Sequence, residues 1–374
     1  MKQTYPLQLT TLTPVCIGTG NKLSPYADYV IDEQRKKIYY IDQELVKNKL
    51  AKEPNLIDEY VEGVANGMDN NRSSFNLKNF LKNRLNIDVH KEHRLQLDCE
   101  AKGSKELYTI VKNAGLQPYV PGSSLKGAVK TALLYDWLVN EAGGKKAVES
   151  LLKNSRDENA NEVIEKAFNG FKLGFSDSSL IDANRMMCID NKRLHIKKGN
   201  TAIPQAWESI LAGTQASLSF SEREGNNYQQ LSWKELCRVL NQYAKAGNQC
   251  EWDILTDTAG EEMTDDVYNR LYDFYEKINK DINEAKDNTA FLKLGSGKGY
   301  YLNSVGLALF DADKSEDKTS FLKFLKQSGF GKVYKKETRK MEDYDLNPYD
   351  FPVTRVIDVH KIQPVGWVKL EIEK

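Results

Sequence analysis

Cysteine is sparse and scattered. The five residues, Cys16, Cys99, Cys188, Cys237 and Cys250, are odd in number and never in Cys-x-x-Cys spacing. This pattern fits a reduced cytoplasm rather than a disulfide framework. Long apolar runs are also missing: none approaches the ~18 residues of a membrane span. Mean hydropathy is −0.59. The opening Met1-Lys-Gln-Thr-Tyr-Pro6 has no apolar core of the signal-peptide kind, so a soluble chain with no membrane partner is expected. Neither charge sign is in excess, with 53 Lys and Arg against 53 Asp and Glu. A basic balance would have argued for nucleic acid, so any such site must come from how the charge is distributed. That distribution is uneven. Lys323, Lys326, Lys332, Lys335, Lys336, Arg339 and Lys340 share a stretch with the single acid Glu337, whereas residues 251–266 carry acids and no base. The acidic tract reads as a solvated helix face in preference to a docking surface. No repeat of fixed period is visible.

One stretch organises the rest: Tyr119-Val-Pro-Gly-Ser-Ser-Leu-Lys-Gly-Ala-Val-Lys-Thr-Ala-Leu-Leu-Tyr-Asp-Trp-Leu138. An extended run meets Gly122, and apolar residues then recur at Leu125, Ala128, Val129, Ala132, Leu133 and Trp137, which is helical spacing. Ser123 or Ser124 is expected to cap the helix through a side-chain oxygen. Lys126 and Lys130, four apart, share a face. Free N–H groups, a positive dipole end, two hydroxyls and two lysines compose an anion site suited to phosphate. A plain strand-to-helix turn with a capping serine and two solvated lysines fits the same pattern. It is not a P-loop, because Lys126 precedes Gly127 and no Ser or Thr follows the pair.

Around this stretch, strands are expected at 5–17, 26–31, 37–41, 171–177, 186–196, 290–294, 354–357 and 367–372. A long strand with a glycine break is expected at 207–220, and a turn at Gly18-Thr-Gly20. Helical patterns occupy 43–95, 141–166, 231–287, 300–310 and 322–331. This order suggests an α+β fold with one antiparallel sheet, helices on one face, and helical insertions at 43–95 and 231–287.

Gly295-Ser-Gly-Lys-Gly299 follows a strand, and its alternate glycines permit close backbone approach to a ligand or form only a turn. It too lacks the P-loop order. A nucleotide-dependent enzyme using this loop is disfavoured, since no acidic Mg²⁺ ligand can be assigned. His90 and His93 with Cys99 lack a fourth metal ligand and read as solvated helix residues, so no metal or cofactor is expected. His195 sits among basic residues, where it could act as general acid or base on RNA or simply contact phosphate. Asp28 and Asp32, the acids nearest the first glycine turn, are candidates there or only hairpin charge. Tyr300, Tyr301, Phe330, Tyr334, Tyr344 and Tyr349 interleave with the basic run, a mixture that suits single-stranded RNA, or a core rich in tyrosine.

Several of these stretches agree on one resemblance. The block Pro121-Gly-Ser-Ser-Leu-Lys-Gly-Ala-Val-Lys-Thr-Ala-Leu133 resembles the signature of the RAMP superfamily of CRISPR proteins, and 295–299 resembles its Gly-rich loop. Cys188-Ile-Asp190, Ala202-Ile-Pro204, Glu208 and Ala212-Gly-Thr214 resemble the strand region of its backbone-type members. Leu12-Thr-Pro-Val-Cys-Ile-Gly-Thr-Gly20, Phe351-Pro-Val-Thr-Arg355 and Pro364-Val-Gly-Trp-Val-Lys-Leu370 are similar to the fifth-subunit family of type III-A (Csm) effector complexes. The tracts 43–95 and 231–287 stay unmatched.

The resemblance implies a ferredoxin-like (RRM-like) core within a single elaborated domain. Its parts would be about 1–42, 115–230 and 288–374, with the two helical tracts inserted. It implies a non-catalytic subunit that caps the 3′ region of crRNA beside the adjacent backbone subunit, with target RNA and other Csm subunits as partners and host nucleases as further ones. Ser123, Ser124, Lys126 and Lys130 would then hold phosphates. Gly18 and Gly20 would line the RNA path with Gly295, Ser296, Gly297, Lys298 and Gly299. Lys192, Arg193, Lys197 and Lys198 would lie on or near a thumb-like hairpin, and Lys335, Lys336, Arg339 and Arg355 would add charge. The alternative is a metal-independent endoribonuclease processing crRNA precursor, with His195 or Asp28 as its catalytic group.

Overall fold

The computed structural model describes residues 4–69, 75–103, 106–199, 205–222, 231–258, 262–335, 338–349 and 351–373. The chain opens with β1 (Thr4–Thr11), β2 (Gly18–Leu23) and the hairpin β3 (Tyr29–Asp32) with β4 (Lys37–Tyr40). Helices α1 (Gln43–Leu50), α2 (Asn55–Asp69) and α3 (Leu77–Asn83) lead to β5 (Leu95–Cys99) and β6 (Leu107–Ile110). Helices α4 (Gly122–Asn140), α5 (Ala142–Lys153) and α6 (Glu158–Gly170) precede β7 (Leu173–Phe175), β8 (Met186–His195), β9 (Gln205–Ile210) and β10 (Gln215–Glu222). The long helices α7 (Trp233–Thr258) and α8 (Asp265–Asn283) come next, followed by β11 (Thr289–Lys293) and a tight turn at Gly295–Lys298. Then come α9 (Gly306–Ala312), α10 (Thr319–Gln327), β12 (Lys332–Lys335), β13 (Lys340–Asp343), β14 (Thr354–Asp358), β15 (Gln363–Pro364) and β16 (Trp367–Ile372).

The fold is mixed α and β, but it has two large sheets where one was expected. The first is antiparallel throughout, in the order β11-β16-β1-β10-β7. The second runs β2-β6-β9-β8-β5-β4-β3, with β14 and β15 joined along β8; its β5–β8 and β6–β9 pairs are parallel. The cause lies in the glycine break. Residues 207–220 are two strands in two sheets, and the turn between them carries Gly213 at φ +75°. Thr11 pins that turn: its Oγ1 donates to Leu211 O at 2.6 Å and accepts from Thr214 N at 2.9 Å. A bridge from Val15 to Ile210 crosses beside it. The segment between β1 and β2 therefore changes sheet at the same seam, which also replaces the expected strand over 5–17.

Helix α4 buries Leu125, Ala128, Val129, Ala132 and Leu133 in the main core, with Leu7, Leu9, Leu218 and Leu370 of the first sheet. Each such leucine or valine contributes about 1.5–3 kcal/mol on burial, and each alanine less. Helices α1 to α3 pack a separate small core of Val30, Ile41, Val46, Leu56, Leu77, Phe80 and Leu81 against the β3–β4 hairpin.

Candidate nucleic-acid interface

The start of α4 is capped from a distance. No side chain caps the helix at its own N-cap residue, Pro121. Instead Gly122 N donates to Asp177 Oδ1 at 2.8 Å, and Val120 N donates to Ser178 Oγ at 2.9 Å. The expected serine cap is thus corrected: a carboxylate from the strand-side segment 176–178 answers the first N–H and the dipole. Ser123 is left exposed and Ser124 half-buried. Lys126 and Lys130 are half-buried, and Lys130 Nζ lies 4.7 Å above the Phe168 ring. Burial, then repulsion from Lys126 and Lys172, holds the Lys130 ammonium below the ordinary lysine value. Like charges crowd here at a cost that an anion would relieve.

Gly18 and Gly20 lie in an exposed strand, β2, rather than in a turn. Its pairing with β6 is irregular between Gly18 and Lys22, and Gly20 sits at φ +87° with open space where a side chain would be. Beside it stands a feature the sequence did not reveal. Tyr108 and Trp207 stack at 4.5 Å and 6°, Lys22 Nζ lies 4.9 Å over the Tyr108 ring, and Trp207 reaches the Gly18 edge. Only the parallel pairing of β6 with β9 brings the two rings together.

In the turn at 295–299, two of the glycines face protein backbone. A Cβ on Gly295 would stand 2.1 Å from Cys16 O, and one on Gly297 2.1 Å from Val365 O. Ser296 N donates to Cys16 O at 3.0 Å, stitching the turn to the segment that leads into Gly18. The two glycine stretches thus meet. Gly299 is exposed at φ +68° with open space around it, and burial lowers the Lys298 ammonium. The turn leaves β11, an edge of the first sheet, whereas the α4 start packs on β7, the opposite edge.

Lys192 and Arg193 lie inside a ladder, opposite Ile357 and Val356 of β14. Arg193 and Lys198 are exposed, while Lys192 and Lys197 are half-buried. The far end of the β8–β9 hairpin, 200–204, with Ala202 and Pro204, falls outside the described residues. Lys335 and Arg339 belong to the exposed β12–β13 hairpin, where Lys335 pairs with Glu342 at 2.7 Å. Lys336 also falls outside the described residues. Val333, Tyr334 and Met341 of this hairpin are large apolar side chains left in solvent.

Arg355 is corrected from an RNA contact to a core residue. It is 7% exposed, its Nε donates to Glu251 Oε2, and its Nη1 donates to Pro352 O. Glu251 accordingly leaves the solvated acidic tract and is buried. Most other titratable candidates are also committed to the fold; His195 is half-buried at the end of β8 opposite Thr354, and its Nδ1 has no hydrogen-bond partner among the described residues. Asp28 Oδ2 accepts from Ser24 N at 2.7 Å. Burial pushes Asp32 up, but Arg35 N and Lys78 more than offset it and hold the carboxyl below its ordinary value. Glu208 is fully buried and accepts from Tyr40 Oη at 2.6 Å, Ile110 N at 2.9 Å and Lys112 Nζ at 2.5 Å. His93 Nδ1 lies 3.0 Å from Val89 O. All five cysteines are buried and unbridged. Among the described residues no group of three or more His, Cys, Asp or Glu could hold a metal, and no helix is long and apolar enough to cross a membrane.

With this geometry in place, three comparisons bear on the chain. The model of the RAMP superfamily matches residues 8–332. A protein of Methanocaldococcus jannaschii described as "CRISPR system Cms protein Csm5" is 26% identical over 402 aligned residues, covering 99% of this chain and 89% of that protein. A protein of the same description from Streptococcus thermophilus is 30% identical over 140 residues, which is 35% of this chain and 38% of the relative. Among solved structures, a chain of a Csm–crRNA–target RNA ternary complex of a type III-A CRISPR–Cas system superposes with TM-score 0.68 at 19% identity, covering 99% of this chain and 100% of that one. The crystal structure of T. onnurineus Csm5 gives TM-score 0.60 at 19% identity, over 96% and 99%.

Proposed function

Because the chain belongs to the RAMP superfamily, we propose that it is the fifth, RNA-binding subunit of a type III-A (Csm) ribonucleoprotein. It binds the 3′ region of crRNA, caps the filament of backbone subunits in the cytoplasm, and so contributes to crRNA maturation and antiviral defence. The observation that carries this reading is likeness to a Csm5 relative over nearly the whole chain, helical tracts included. RNA phosphates run past Ser123, Lys126 and Lys130, where crowded ammonium groups gain from an anion. A second track follows Gly18, Gly20, Lys298 and Gly299, with the Tyr108–Trp207 stack as a surface for bases. Lys192, Arg193, Lys197, Lys198, Lys335, Lys336 and Arg339 add charge along the path. The subunit binds and does not cut: Asp28, one of the two groups that an endoribonuclease would use, is spent on a turn, which supports this reading.

The test is a filter-binding titration of mature crRNA against the protein, alone and with the other Csm subunits, at two salt concentrations. Tight, salt-sensitive binding in the assembly is expected, with cleavage of precursor absent in EDTA. Equal binding of any RNA by the lone protein, or none in either setting, overturns the proposal.

A further inference from the structure

The long helices α7 and α8 and the turn after them enclose a groove of about 660 Å³, apart from the RNA path. One wall is the exposed face of α7, where Lys234, Arg238, Gln242 and Lys245 recur at helical spacing. The other is the end of α8 and the residues that lead into β11. The floor is aliphatic or nearly so: Cys237, Ile282 and Ala285. Two bonds strap the groove. Lys234 Nζ lies 2.6 Å from Asp287 Oδ2, and Lys245 Nζ donates to Asn283 Oδ1 at 2.8 Å.

Positive charge is in excess here. Asp287 is taken by Lys234, and Glu235, which Arg238 also attracts, accepts from both Ser232 N and Ser232 Oγ at 2.8 Å. Arg238 donates to the neutral Gln242 Oε1 and Lys245 to a neutral amide, while Lys286 stands exposed on the rim. The sheet edge beside the groove is closed. Asn241 Nδ2 donates to Thr289 O at 2.8 Å and its Oδ1 accepts from Phe291 N at 2.9 Å, so the side chain occupies the free side of β11. An extended segment cannot add there as a further strand.

We propose that this groove docks an acidic, amphipathic helical segment of a partner protein. Its carboxylates face Arg238, Lys245 and Lys286, and its aliphatic side chains cover Ala285 and the methylene stems of the basic side chains, above the buried Cys237 and Ile282. A basic rim over an aliphatic floor matches helix-in-groove recognition, and the closed edge removes the strand-addition mode. RNA fits less well, because no aromatic ring lines the groove to stack a base.

The test uses the full chain and fluorescence anisotropy with a labelled helical peptide of glutamate, leucine and alanine. Binding is expected, weakened about tenfold or more by Arg238→Glu with Lys286→Glu, as befits lost charge complementarity. Arg238→Gln with Lys286→Gln is expected to give an intermediate loss. Both positions are exposed, so melting temperatures should hold, and Lys126→Ala should leave the peptide affinity unchanged. Failure of the wild-type chain to bind the peptide, binding indifferent to the charge reversal, or displacement by polyuridine each overturns the proposal. Displacement would assign the groove to RNA. None of these outcomes depends on crRNA binding at α4.

Discussion

At the scale of single residues, Gly122 meets the tightest constraint beside the proposed RNA path. A Cβ there would stand 2.4 Å from Phe175 O and 2.7 Å from Ser176 O, both backbone atoms that cannot yield cheaply. Gly122→Ala is therefore expected to cost about 1–3 kcal/mol, the usual range for overpacking, read by denaturant melts. Lys126→Ala should leave those melts unchanged and weaken crRNA binding in the assembly. Arg355 gives the opposite separation. Its guanidinium is enclosed with Glu251, so Arg355→Ala strands a buried carboxylate and should destabilise by about 3–5 kcal/mol. Replacing both partners by methionine should recover much of that loss, and RNA affinity per folded molecule should stay unchanged. Residue chemistry was legible where it was local, in the apolar spacing of α4; the need for glycine at 122 was not, because it comes from the backbone of Phe175 and Ser176. Asp177, Glu251 and the Tyr108–Trp207 stack were not, because each acts on a partner brought near only by the tertiary fold.

Among the elements, the β12–β13 hairpin stands apart. Its two strands pair only with each other, and Tyr344 N donates to Gly331 O at 2.9 Å across its neck. A short loop in place of residues 332–343 should therefore leave the melting temperature nearly unchanged, while assembly or RNA binding drops through loss of Lys335, Arg339, Tyr334 and Met341. A large fall in melting temperature would show that the hairpin braces the core. The helical tracts at 141–166 and 231–287 were read from their period close to where α5 to α8 lie, since amphipathic spacing is written into neighbouring residues. By contrast, the tract at 43–95 breaks into three helices that end at Asn83, and α9 and α10 are displaced from the expected 300–310 and 322–331. The strand at 207–220 misled for a physical reason. Both halves alternate, and nothing near Gly213 records that Thr11, from the far end of the chain, turns the backbone into another sheet.

For the molecule as a whole, zero net charge means that RNA affinity rests on local patches rather than on a general field. Removing one phosphate contact, as in Lys126→Ala, should lower the slope of log affinity against log salt by about 0.7 for single-stranded RNA. An unchanged slope would remove Lys126 from the interface. The α+β class was legible from the order of elements, whereas the split into two sheets depended on which strands find each other across the chain.

The pairing of β1 carries a consequence for how the protein is made. Leu9 sits between Ala216 on one side and Leu370 on the other. On the ribosome the first strand emerges long before either neighbour exists, and its second neighbour arrives only with the last residues of the described chain. The central sheet closes only once β16 has been made; β1 offers two open edges to other nascent chains until β10 emerges, and one from then until β16 does. The small core of α1 to α3 closes largely within residues 30–89 and needs no such wait. Stalled chains ending before β16 should therefore resist proteolysis over that early segment while the rest stays open to digestion and prone to aggregate.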